Sequence, residues 1–427
     1  MSYLAKSEIC FIFLLIAAVN AQMDGWQLQD SGTDRGLYDV FFVNADTGWA
    51  VGQNVILNTT DGGENWMVQD SSNNEFWAVS FTDASHGWVV GYKGTGYPGI
   101  IYHTYDGGQN WSLKDSCSYE LNDIFFVDAD TGYAVGGARG QSTILKTTDG
   151  GSTWDMNYSA YGNWLYTIYF ATPKKGWAAG AEGYVMKTED GGKNWQYLYL
   201  DIGYDNLLSI HFSDPDTGWV VGGQDNIFKS TDGGYSWQLQ ESQNNFEYYS
   251  CYFINSQTGW LAVRDWSASL GKILYTADRG DSWHVQDSLA GVHLYEIFFV
   301  DDYTGWIVGW PGTILKTTTG GITSMHDSKV QSHKVPEKFE LYQNHPNPFN
   351  PRTVISWHVG MTPMSPVHIE LSVYNILGQN VATLISEKQK AGFYTVEWDA
   401  SGMASGVYYI RLQAEGFVQT KKLVLLR

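Results

Sequence analysis

Six carboxylates recur through this chain in nearly identical surroundings. Asp61, Asp106, Asp149, Asp190, Asp232 and Asp278 stand in the strings TTDGGENW, TYDGGQNW, TTDGGSTW, TEDGGKNW, STDGGYSW and TADRGDSW. Carboxylates so regularly placed could serve as acid–base groups. A short carboxylate in a glycine-rich turn also accepts backbone N–H bonds and fixes the turn, which requires no substrate. The latter reading makes all six structural.

The tryptophans closing these strings (66, 111, 154, 195, 237 and 283) lie 41 to 46 residues apart. A second motif runs in phase with them, from FFVNADTGWAVG at 41–52 to FFVDDYTGWIVG at 298–309, in seven copies. Its DADTG-type turns hint at calcium, but TPKKG (172–176) and NSQTG (255–259) lack the ligands, so these are read as hairpin turns. Each period holds four β-patterned runs; in the first they are Tyr38–Val43, Trp49–Gly52, Val55–Asn58 and Trp66–Gln69. Four short strands per repeat of this length predict a propeller blade. The seventh copy reads TTTGGITS, without Asp or Trp, whereas GWQLQDSG (25–32) looks like a stray fourth strand. We expect Trp26–Asp30 to complete blade seven and close the ring, leaving no free edge.

Of 19 Trp, thirteen belong to this scaffold, counting Trp26, and Trp357 and Trp398 lie near the C-terminus. Four are left: Trp77, Trp164, Trp266 and Trp310. Strand alternation puts all four on the face opposite the Asp-bearing turns. Tyr38, Tyr166, Tyr249 and Tyr295 occupy the position equivalent to Trp77, and Tyr92 and Tyr97 fall in the longest loop between second and third strands. Mixed with Glu75, Glu120, Glu182, Asp225, Glu247 and Asp265, such a face suits stacking on sugar rings or gripping a peptide. The alternative is that the inner-strand aromatics only plug the central channel.

The Asp strings resemble the Asp-box (bacterial neuraminidase) repeat, and the paired motif resembles the seven-bladed propellers of the photosystem II stability/assembly factor family. This resemblance, over roughly 300 residues, implies fold more than function. Asp-boxes occur on sialidases, xyloglucanases and binding propellers alike. A sialidase needs an arginine cluster at its ligand face, but the propeller offers only Arg35, Arg139, Arg264 and Arg279. A xyloglucanase-type hydrolase uses a cleft between two propellers. No metal or cofactor motif appears. The reading is a non-enzymatic binding propeller for a glycan or protein ligand. A sialidase-like or xyloglucanase-like hydrolase is the alternative, and a membrane-complex assembly factor a second.

The ends carry addresses. Residues 1–21 pair Lys6 with an apolar run from Ile9 to Val19, which reads as a secretory signal peptide. No other run is long enough for a membrane-spanning helix. Residues 22–321 form the propeller, 322–337 a polar linker, and 338–427 alternate with glycine turns like a small Ig-like β-sandwich. QNHPNPFNP (343–351), VYN (373–375), ASGVY (404–408) and Lys421-Lys422 resemble the type A sorting domain of type IX secretion. That resemblance implies passage across the outer membrane of a Bacteroidota-like bacterium by the type IX machinery, followed by release or surface attachment. Residues 22–321 hold 14 Lys and Arg against 36 Asp and Glu, which argues against nucleic acid as partner. Outside the leader only Cys117, on the connection between blades two and three, and Cys251 remain. Three blades apart, they are too distant to bridge.

Overall fold

The computed structural model describes residues 25–94, 98–138, 140–161, 163–240, 246–321, 339–341, 349, 351–359, 367–389, 392–414 and 417–425. The leader, the linker, Tyr97, Arg139 and most of the QNHPNPFNP string lie outside them. The described residues are all-β, and the chain divides into two compact units, residues 1–323 and 324–427.

The first unit is seven four-stranded antiparallel sheets. Blade one runs Leu37–Phe42, Gly48–Gly52, Val55–Thr59 and Met67–Asp70, from channel to rim. Blades two to six repeat this order. The seventh takes His293–Phe299, Gly305–Trp310 and Thr313–Thr317, with Gln27–Gln29 added as its outer strand, Leu28 opposite Leu315. The expected strand Trp26–Asp30 is therefore shorter by a residue at each end. Cys117 ends a strand, Ser112–Cys117, and Tyr92 lies within Gly87–Lys93, so both leave the connections where they were expected. Cys117 and Cys251 are free thiols.

One joint holds neighbouring blades. The second-strand Trp of each blade stacks on the last Phe of the next inner strand: Trp49 on Phe81 at 3.4 Å, Trp177 on Phe212 at 3.5 Å, Trp219 on Phe253 at 3.4 Å. Tyr133 substitutes in blade three, on Phe170. In blades one, four, five, six and seven the same indole donates its N–H into the next blade's turn, as Trp49 Nε1 does to the Gly107 carbonyl (3.1 Å) and Trp177 Nε1 to that of Gly233 (3.1 Å), whereas the Trp88 N–H of blade two has no hydrogen-bond partner. Gly234 must be glycine: its φ is +80°, and a Cβ there would stand 2.4 Å from Trp177 Nε1. The Asp-box Trp meets that Phe edge-on, as Trp66 meets Phe42 at 5.9 Å. In blade seven Trp26 meets Phe299 at the same 5.9 Å, so the N-terminal segment replaces the missing tryptophan as well as the missing strand.

Each Asp-box is a closed set of local bonds. Thr59 Oγ1 donates to Asp61 Oδ1 (2.8 Å) and accepts the Gly63 N–H (2.8 Å), while Asp61 Oδ1 accepts the Asn65 N–H (2.9 Å). The side chain and N–H of Asn65 hold the Asp61 carboxyl down at about 2.

The second unit packs the three-stranded sheet Glu340–Leu341, Arg352–Val359, Gly392–Asp399 with a four-stranded one, Val367–Asn375, Asn380–Gln389, Gly406–Ala414 and Phe417–Leu425. Trp357, Trp398, Ile369, Leu371 and Ile410 fill their common core.

Ring closure through Trp26 is measurable. Trp26→Ala should cost about 3–5 kcal/mol, the usual range for emptying a buried Trp site, read from urea denaturation. A loss under about 1 kcal/mol would show that blade seven does not need this residue.

Candidate functional site

The seven inner strands share one irregularity: each breaks register with its neighbour once, near its start. The residue skipped by the ladder is Tyr38, Trp77, Asn122, Tyr166, Leu208, Tyr249 or Tyr295. A β-bulge leaves its extra residue unpaired and re-aims the side chain. Here it delivers a ring of side chains, five of seven aromatic, to the channel mouth.

Several of these touch across blades. Tyr38 stacks on Trp77 at 4.4 Å and meets Tyr295 edge-on at 5.6 Å, and Tyr295 meets Tyr249 at 5.2 Å. Tyr92 extends the wall, 6.4 Å from Trp77. At the other end His293 contacts both Tyr295 (6.4 Å) and Trp310 (5.5 Å). Trp266, 55% exposed, donates its N–H to Glu247 Oε2 (2.9 Å), which also accepts the Tyr249 hydroxyl (2.9 Å). Trp77, Trp266, Trp310, Tyr38, Tyr249 and Tyr295 thus belong to one linked arc over blades one, two, six and seven. Trp164 and Tyr166 stand apart on blade four, lining a hollow of about 320 Å³ with Asn163 and Glu182. A second hollow, of about 230 Å³, lies between Tyr204, Glu247 and Trp266.

The acids expected among these aromatics divide. Asp265 is buried, ion-paired to Lys272 at 2.6 Å, and capped by the Ser267 and Ala268 N–H groups. Asp225 accepts the Phe246 N–H (2.9 Å), and Glu182 accepts from Asn163 (3.2 Å). Glu75 differs: its Oε2 is shut off from solvent without a hydrogen-bond partner, as is Trp77 Nε1. Burial holds both Glu75 and Glu120 above the usual carboxylate range.

Two layers below the mouth escaped the sequence reading. Directly after the bulge come Asp39, Asp123 and Glu296, which brace blade to blade. Asp39 Oδ2 accepts the Val79 N–H (2.7 Å), Asp123 Oδ2 the Ile168 N–H (2.7 Å), and Glu296 Oε1 the Ser250 hydroxyl (2.5 Å). Each keeps some surface toward the channel, yet surrounding protein shields it from bulk water. Burial lifts Asp123 to about 6; it lifts Asp39 and Glu296 too, each raised further by the other carboxylates. Two residues further along, Phe41, Phe125, Tyr169, His211, Tyr252 and Phe298 form the channel floor, joined by ring contacts of 4.7 to 5.8 Å. The gap, between blades one and three, is Ser80. Their signal was an acidic residue inside an apolar inner strand, and a second aromatic two places on. Among the described residues no three His, Cys, Asp or Glu gather closely enough to hold a metal ion.

The profile of the photosynthesis system II assembly factor YCF48 matches residues 18–116, 113–203 and 194–287. The chain belongs to this family. A secretion-system C-terminal sorting domain matches 343–426 and points to export through the type IX secretion system. Among solved structures the propeller resembles YCF48 bound to a D1 peptide (22% identity, 69% of this chain, 97% of that one, TM-score 0.57). YCF48 from Cyanidioschyzon merolae (20%, 69% and 98%, TM-score 0.57) is similarly close, and U3-55K (9%, 69% and 98%, TM-score 0.54) shares the fold. No curated protein matches the chain. This member of the YCF48 family is an exported propeller.

The buried channel carboxylates give it an unusual pH response. Their folded values lie above the unfolded value of about 4, so their stabilising contribution is complete below that value. It is lost as pH rises through the folded values, about 6 for Asp123 and about 8 for Asp39, with Glu296 raised in the same direction. Stability should therefore fall between about pH 4 and 8. In Asp39→Asn/Asp123→Asn, whose amides keep an acceptor, thermal melts should show a flatter decline. An unchanged slope would mean the carboxylates titrate as if exposed.

Proposed function

We propose that this exported propeller is a binding protein, without catalytic activity, that holds a glycan or protein ligand in the aromatic mouth. The carrying observation is the arc of contacting rings from Trp310 through Tyr295 and Tyr38 to Trp77, set over a channel floored by aromatic rings. Flat apolar faces fixed by β-bulges supply contact area with little side-chain entropy left to lose on binding. Trp310 and Trp266 stay substantially exposed, at 44% and 55%, which suits a surface awaiting a partner.

The state of the acids supports binding over hydrolysis. A glycosidase needs an acid and a second carboxylate free to flank the scissile bond. Asp265 is neutralised by Lys272, Glu247 is engaged by Trp266 and Tyr249, and the deep carboxylates are committed to the blade joints. One solved relative favours a protein over a glycan: it carries a D1 peptide, so the fold accommodates a peptide. On this reading the sorting domain delivers the propeller to the cell exterior, where the ligand is met.

A glycan array and a pulldown from culture supernatant, each run with the full chain, test the reading. Trp77→Ala/Trp266→Ala should weaken any ligand found by at least roughly tenfold, about 1.4 kcal/mol. Binding that survives both changes removes the mouth from consideration, and turnover of a glycan abolished by a single Glu or Asp change restores the hydrolase.

A further inference from the structure

Blade six contains its own ligand-like arrangement. Glu247 lies opposite Arg264 in the ladder between first and second strands. The Arg264 guanidinium lies over the Trp266 ring, 3.3 Å from its centroid, and Glu247 accepts from the Trp266 indole and the Tyr249 hydroxyl. There the cation lies on an aromatic face, and the carboxylate beside it is satisfied by the indole N–H and the hydroxyl.

Blade two repeats the frame without the cation. Glu75 takes the place of Glu247, two residues before the bulge, and its ladder partner is Tyr92 where blade six has Arg264. Trp77 takes the place of Tyr249 and stacks with Tyr38. The carboxylate and an aromatic bulge residue are retained, Gly94 stands where blade six has Trp266, and Glu75 Oε2 is shut off from solvent without a hydrogen-bond partner. Arg35, from the neighbouring blade, turns its guanidinium to the Asn54 carbonyl. A desolvated carboxylate oxygen left unpaired is costly, and a ligand cation would remove that cost while gaining the adjacent ring faces.

We propose that Glu75, with Trp77, Tyr38 and Tyr92, forms a subsite for the ammonium or guanidinium of a Lys or Arg side chain on a protein ligand. The proposal rests on the mouth being the binding face and adds the chemistry of its occupant. The propeller's charge agrees, with 36 acidic against 14 basic residues over 22–321, since such a field draws basic segments and repels acidic ones.

The test uses the full chain and the blocked peptide Gly-Lys-Gly-Lys-Gly, with its Gln and Glu counterparts and a neutral oligosaccharide, followed by calorimetry. The Lys peptide should bind, at least tenfold tighter than the Gln form, with affinity falling as salt rises. Glu75→Gln should weaken it at least tenfold. Glu64→Gln, the same charge change on an exposed Asp-box turn, should leave it unaltered. Tyr92→Arg supplies an internal cation at the Arg264 position and should abolish binding in a chain whose melting temperature is retained, which guards against misfolding of the Glu75 variant. Equal binding of Lys and Gln peptides, or binding indifferent to Glu75→Gln and Tyr92→Arg, overturns the subsite. If only the oligosaccharide binds, and Trp77→Ala weakens it, the mouth stands and its cationic occupant falls. If neither probe binds, the cation assignment fails and the mouth is judged by the array and pulldown.

Discussion

The structure depends on the joint between blades, in which an aromatic ring stacks on the next blade's Phe and, in every blade but the second, donates a hydrogen bond into that blade's turn. The stack sets the spacing of neighbouring sheets, and the N–H bond sets their height, because Trp49 can reach the Gly107 carbonyl at only one displacement. The Asp-box serves this joint. Thr59 and Asp61 shape the turn so that a carbonyl faces the incoming indole, as Gly62 does for Trp306 (3.2 Å). The six recurrent carboxylates that first looked like chemistry occupy their bonds in the scaffold.

From that joint the mouth follows. Blades held at fixed spacing bring seven inner strands around one channel, and the bulge in each presents one side chain upward. Below it, the acids of blades one, three and seven accept N–H and O–H groups across the blade gaps, and an aromatic ring forms the floor. The mouth thus lies over a floor of aromatic rings interrupted at Ser80, and what distinguishes one sector from another is the residue at the bulge and two places before it. Blades six and two show the consequence: a carboxylate at the same position, satisfied by its own blade in one and left with an unpartnered buried oxygen in the other.

Much of this was legible in the sequence because it repeats. The period, the blade count and the stray strand at Gln27–Gln29 all follow from counting copies. Boundaries moved by one residue, as at Leu37–Phe42 against the expected Tyr38–Val43, because the turn ends where the bond geometry ends and not where the polar run does. The channel layers were not legible, since Phe41 and Phe42 look alike in a string and only the bulge decides which faces the channel. Asp39, Asp123 and Glu296 occur in three of seven copies, so a search for recurrence passes over them. Asp265 looked available in the sequence, and its capture by Lys272 depends on two strands meeting. Trp164 and Tyr166 were grouped with the rest by face alone, while contact separates them by sector.

The central claim is that the ligand touches the mouth, and the indole N–H signals of the 19 Trp report on it most directly by 15N NMR. Adding the Lys-containing peptide should shift the Trp77 signal, whose N–H is unpaired. The signals of Trp177, Trp219 and Trp260, locked to carbonyls within the ring at 3.1 to 3.2 Å, should stay still. Shifts confined to the Asp-box tryptophans, with Trp77 unmoved, would contradict the account.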